Sequence, residues 1–128
     1  MSKFIKVQTQ LADLDCIEAA LRDLGLPYER QAIACGWGQA RSRADLVVRK
    51  QNLPTGCLAD LAFVRQGAGV EMIIDEMDQA RSAMRKLLSR LRQRCAYHRV
   101  IKQARAQGLA VQQVTEQGGV LQIVLRGA

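Results

Sequence analysis

Leu58-Ala59-Asp60-Leu61-Ala62-Phe63-Val64-Arg65-Gln66-Gly67-Ala68-Gly69-Val70-Glu71-Met72-Ile73-Ile74-Asp75 is the stretch that decides the fold. Two apolar, strand-favouring runs, Leu58 to Arg65 and Val70 to Asp75, flank a glycine-rich turn, which is the pattern of a β-hairpin. Centring the turn on Gly67-Ala68 sets Asp60 opposite Asp75, Ala62 opposite Ile73 and Val64 opposite Glu71. The other face then carries Leu61, Phe63, Val70, Met72 and Ile74, a continuous apolar surface that demands a core beneath it.

Working outward, Phe4 to Thr9, Tyr28 to Ile33 and Ala44 to Lys50 read as further strands. Cys35-Gly36-Trp37-Gly38-Gln39 is a turn, and Asn52 to Gly56, with Pro54 and Gly56, is a loop. Leu109 to Thr115 and Val120 to Arg126 flank Gln117-Gly118-Gly119, a second hairpin. An early helix starts at Asp13 or Asp15 and ends near Gly25, with Leu14, Ile17, Leu21 and Leu24 on one face. Asp15 with Glu18 forms a possible capping box there.

Gln79 to Gln107 is helical but carries two apolar stripes. Ala80, Met84, Leu87, Leu88, Leu91 and Cys95 share one face, and Tyr97, Val100, Ile101 and Ala104 lie roughly 140° away at 100° per residue. The stripe jumps near Arg94 to Tyr97, where no Gly or Pro stands, so a continuous helix is favoured over a break. Its two halves are then expected on different surfaces, one on the sheet and the other on a second subunit of a homo-oligomer. The expectation is one α+β domain over residues 1–128: an antiparallel sheet of about six or seven strands, a short N-terminal helix, and a long basic helical segment before a C-terminal hairpin.

Charge divides the chain. Residues 1–78 hold nine Lys/Arg and eleven Asp/Glu, and residues 79–128 hold ten Lys/Arg and one acid, Glu116. Nine bases fall in the long helix: Arg81, Arg85, Lys86, Arg90, Arg92, Arg94, Arg99, Lys102 and Arg105. Such a block favours an acidic partner, and Arg81, Arg85, Arg92 and Arg99 form one strip. A solvated helix face is the plain alternative. An acidic protein or larger complex is favoured over nucleic acid, because no aromatics are interleaved for base stacking.

Two smaller constellations stand beside the helix. Gly36, Trp37 and Gly38 with Arg41 and Arg43 form a possible anion-binding turn; the favoured reading of Trp37 is instead a lid over the core with its N–H satisfied. Asp60 and Asp75, as facing acids, call for a cation, and Arg41 or Arg43 is expected to complete a structural ion-pair cluster. No metal site or cofactor is expected, since Cys16, Cys35, Cys57 and Cys95 show no close ligand spacing and His98 is the sole histidine. No Gly-x-Ser-x-Gly elbow or phosphate loop occurs, so an enzyme is the less favoured reading. The chain lacks a signal-like N-terminus and an apolar run of about 18 residues, so a cytoplasmic protein off the membrane is expected.

The chain resembles the family called hypothetical chloroplast reading frame thirty-five. The resemblance rests on Met1-Ser2-x-Phe4, Leu21-x-Asp23-Leu24-Gly25, Gly36-Trp37-Gly38-Gln39, Arg43-Ala44-Asp45-Leu46-Val47, Asp60-Leu61-Ala62-Phe63, Asp75-Glu76, Ala96-Tyr97-His98 and Gly108-Leu109. It departs from the family in a glycine–aromatic turn one residue shorter and in a more basic stretch from Gln79 to Arg99. The resemblance implies no catalytic residues. It implies an accessory or assembly role in a complex, with an AAA-type ATPase or a ferredoxin-like protein as a possible partner.

Overall fold

A computed structural model describes residues 2–9, 11 and 13–127; Met1 of the opening motif lies outside them. Seven strands and three α-helices follow in the order β1 (Phe4–Gln8), α1 (Leu14–Asp23), β2 (Glu29–Cys35), β3 (Arg41–Val48), β4 (Leu61–Gln66), β5 (Gly69–Asp75), α2 (Glu76–Gln79), α3 (Ser82–Ala106), β6 (Leu109–Gln117) and β7 (Val120–Gly127). The strands divide between a five-stranded antiparallel sheet, ordered β1-β5-β4-β3-β2, and a separate hairpin, β6-β7. The fold is α+β, as the alternating patterns required.

The deciding hairpin takes the expected register, with Ala62 opposite Ile73 and Val64 opposite Glu71. Leu61, Phe63, Val70, Met72 and Ile74 are all buried. They join Ile17 and Leu21 of α1 and Met84, Leu88, Leu91 and Cys95 of α3 in the main core. Asp13 caps α1 by accepting from the Cys16 amide at 2.7 Å, in place of an Asp15–Glu18 box. Gly25, at φ +69°, follows the helix end in the left-handed region that suits glycine.

The sheet curls strongly. β1 and β2 are its opposite edges, yet a Cβ placed on Gly36, just after β2, would stand 2.7 Å from Phe4 Cε2 of β1 and 2.9 Å from Ala40 Cβ. Ala34, Ala44, Val47, Ala62 and Ile73 form a second, smaller core layer, with Phe4 packed against it; small side chains suit the tight inside of a curl. Gly36→Ala is therefore expected to cost about 2 kcal/mol through overpacking. Urea unfolding checks this, and an unchanged midpoint would contradict it.

The helical segment begins later than the pattern predicts. Asp75 caps the short α2 by accepting from the Met77 and Asp78 amides. Arg81, with φ −73° and ψ 135°, is extended and separates α2 from α3. From Ser82 to Ala106 the helix is continuous, as the absence of Gly and Pro favoured. Its first half packs on the sheet and α1. Its second half runs beside the chain's own C-terminal hairpin, with the Gln93 side-chain amide donating to the Gly119 carbonyl.

Candidate functional site

α1 and α3 are pinned antiparallel by charge at both ends. Lys102 Nζ lies 3.3 Å from Asp13 Oδ2. At the other end of α1, Asp23 accepts from Arg94 and meets His98 Nε2. Arg94 also stacks over the Tyr97 ring at 4.4 Å. Arg81 pairs with the buried Asp78 at 3.2 Å. Three of the nine helix bases thus hold the fold together. Arg85, Lys86, Arg90, Arg92, Arg99 and Arg105 are exposed, and none is ion-paired among the described residues.

Burial tends to raise the carboxyl pKa of Asp13, Glu18 and Asp23, but hydrogen bonds outweigh it and hold all three below their ordinary values. The Cys16 amide and Lys102 act on Asp13, Arg30 and Tyr28 on Glu18, and His98 and Arg94 on Asp23. A carboxylate lowered in the folded state stabilises fully above its unfolded pKa of about 4 and loses that contribution as pH falls through the folded value. The melting temperature is expected to drop steadily below about pH 4, and to drop less in Asp23→Asn. A melting temperature flat to about pH 3 would contradict this.

Groups on α3 line one side of a chain of cavities, of about 520, 300 and 480 Å³. The first lies between Val7, Met72, Arg85 and Leu88, the second between Gln8, Thr9, Leu91 and Arg92, and the third between Leu11, Asp13, Arg99 and Val100. Arg92 lines all three, so they form one groove. Its opposite wall runs from the edge strand β1 into the start of α1. Arg85, Arg92 and Arg99 rim this groove, while Lys86, Arg90 and Arg105 line none of its cavities. The bases were legible in the sequence. The wall residues Val7, Gln8 and Leu11 were not, because no local pattern says that β1 lies at a sheet edge.

The acid cluster differs from expectation. Asp60, only 4% exposed, takes Arg49 as its cation at 2.8 Å, rather than Arg41 or Arg43. It also accepts from the Cys35 and Lys50 amides. The reason is register: Val48 pairs with Leu61, so Arg49, just after β3, meets Asp60, just before β4. Arg41 and Arg43 lie farther up β3, opposite Cys35 and Ile33 of β2. Among the described residues Asp75 takes no arginine; it accepts from the Ser2 hydroxyl and the α2 amides. Asp78, also buried, accepts from the Leu58 and Ala59 amides. These three acids are structural ties.

In the glycine turn, Arg41 folds back onto the Gly38 and Ala40 carbonyls, and the Gly36 and Ala40 amides bond within the turn. An anion there would have to displace these bonds. Trp37 is 51% exposed, so it does not lid the core.

Among the described residues, no group of three or more His, Cys, Asp or Glu side chains is placed to hold a metal ion. Burial raises the Cys16 thiol to about 11 and the Cys95 thiol to about 12. Both therefore stay protonated at neutral pH and act as packing groups. No helix among the described residues is long and apolar enough to cross a membrane.

Fold and site together define a small α+β protein with a curled antiparallel sheet and one exposed basic helix. The family model described as "Protein of unknown function (DUF1257)" matches residues 20–124, and the chain belongs to this family. The chain is 28% identical over 129 aligned residues to "Uncharacterized protein ycf35" of Guillardia theta, covering 98% of this chain and 97% of that protein. It is 24% identical, with the same coverage, to "Uncharacterized protein ycf35" of Pyropia yezoensis. The resemblance to the chloroplast reading frame family is thereby shown. No solved structure matches the chain.

Proposed function

We propose that the protein is a binding module, an adaptor or assembly component that docks an acidic protein partner through the exposed face of α3. The observation that carries this reading is the set of six exposed bases unpaired with any acid among the described residues. A purely structural helix would pair or dilute such charge, because clustered like charges raise the energy of the compact state. The aliphatic groove beside this face favours protein over nucleic acid, since sequence-tolerant binding of single strands relies on aromatic stacking. Tyr97, the one aromatic residue of α3, is occupied with Arg94 and His98.

The test is capture from lysate on the tagged protein, with and without nuclease. A stoichiometric protein that survives nuclease and leaves as salt is raised supports the adaptor reading. Recovery of nucleic acid, with every protein lost after nuclease, overturns it.

A further inference from the structure

The groove between β1 and α3 has a form that the basic face alone does not require. Val7, Met72, Leu88 and Leu91 give it an apolar floor, and Arg85, Arg92 and Arg99 rim it on the helix side. These arginines stand seven residues apart, about 10.5 Å per step and about 21 Å in all at the helical rise. An extended chain rises about 3.3 Å per residue, so six or seven residues span the strip. The opposite wall begins with β1, an edge strand whose outer side has no strand partner in the sheet. Unpaired edges are templates for strand addition.

We propose that this groove binds an extended segment of the partner protein in which carboxylates alternate with aliphatic residues. The inference rests on the basic-helix reading above. The segment's acids meet Arg85, Arg92 and Arg99, its aliphatic side chains enter the pits over Met72 and Leu91, and its backbone pairs along β1. Charge complementarity selects this occupant, because the middle of the groove holds Arg92 with no acid paired to it among the described residues. The groove's ends are less basic: Glu76 lies at one and Asp13, already bound to Lys102, at the other. An acidic segment is therefore held most strongly at its middle, by Arg92, and more weakly at its ends, where Arg85 and Arg99 stand beside these acids.

The probe is a fluorescein-labelled ten-residue peptide of alternating Glu and Leu, titrated against the full chain by anisotropy. A Glu/Ser peptide of equal charge and a single-stranded oligonucleotide serve as comparisons. The Glu/Leu peptide is expected to bind at least about tenfold tighter than the Glu/Ser peptide. Arg92→Glu should weaken it at least about tenfold, and Lys86→Glu with Arg90→Glu by clearly less, since neither of those two lines the groove. Methylating alternate peptide amides should also weaken it several-fold, since this removes strand-pairing donors. Circular dichroism establishes that each variant is folded.

Equal binding of the two peptides overturns the groove, as does an Arg92→Glu effect no larger than that of the Lys86 and Arg90 reversals. In both cases the basic-helix reading survives, because charge alone then explains binding. No peptide binding at all also overturns the groove, leaving the lysate capture to judge the basic helix. Tighter binding of the oligonucleotide than of either peptide overturns both readings.

Discussion

Arg49→Ala is expected to destabilise the fold by about 3 kcal/mol, because removing one partner of a buried ion pair strands the other. Arg49 donates to Asp60, to the Ile33 carbonyl and to both Glu29 oxygens. Through Asp60 it holds together the end of β2, the end of β3 and the entry to β4. Its hydrogen bonds to Glu29 and Asp60 raise its own pKa further, so it stays charged at any working pH. Without it, Asp60 keeps two amide donors but has no counter-charge at 4% exposure. Adding Asp60→Asn to Arg49→Ala should recover only part of the loss, since the stranded charge is then gone, but the Cys35 and Lys50 amides use different Asp60 oxygens and Asn leaves one of them facing its NH2 group. Chemical denaturation of the two variants decides this. A loss below about 1 kcal/mol in Arg49→Ala would mean that water satisfies Asp60 and that the pair is dispensable.

Reversing Arg85, Arg92 and Arg99 to Glu is expected to weaken binding of the acidic partner by at least about a hundredfold, near 3 kcal/mol. Each reversal replaces an attraction with a repulsion at the same place, so the three changes reinforce one another. The fold should hardly notice. All three side chains are exposed and none is ion-paired among the described residues, and surface changes of this kind usually shift stability little. Reversing Arg94 is a useful contrast. That residue holds Asp23, so its loss should lower stability before it touches binding.

Much of this architecture was readable from local pattern. The β4–β5 register followed from Gly67 and Gly69, because a tight turn leaves only one pairing. The continuity of α3 followed from the absence of a breaker where its stripe jumps. The sheet order was less accessible, since strand neighbours are chosen by tertiary packing and no residue of β1 announces that it sits at an edge. The same limit misplaced the cation of Asp60. A long connection joins β3 to β4, and without a tight turn the sequence gives no register that would set Arg49 opposite Asp60. The break at Arg81 was hidden for a related reason: Asp78 accepts from the Leu58 and Ala59 amides of a distant loop and from Arg81, contacts that no local pattern announces. The jump of the apolar stripe suggested a second surface for the later half of α3, and the chain's own β6–β7 hairpin runs beside that half.

The candidate site was half legible. A run of bases is visible in any sequence, but which of them are spent inside the fold is not. Arg81, Arg94 and Lys102 are tied to Asp78, Asp23 and Asp13, acids that stand 3, 71 and 89 residues away. Only the fold separates these from the arginines left facing outward.

In the proposed docking, the outward arginines of α3 hold an acidic protein partner. It is tested most directly by quantifying, after nuclease treatment, the proteins captured from lysate by the wild-type chain and by the folded Arg85→Glu, Arg92→Glu, Arg99→Glu variant. A stoichiometric acidic partner on the wild type, lost from the variant, is the expected result. The same partner retained by the variant at wild-type level would contradict it.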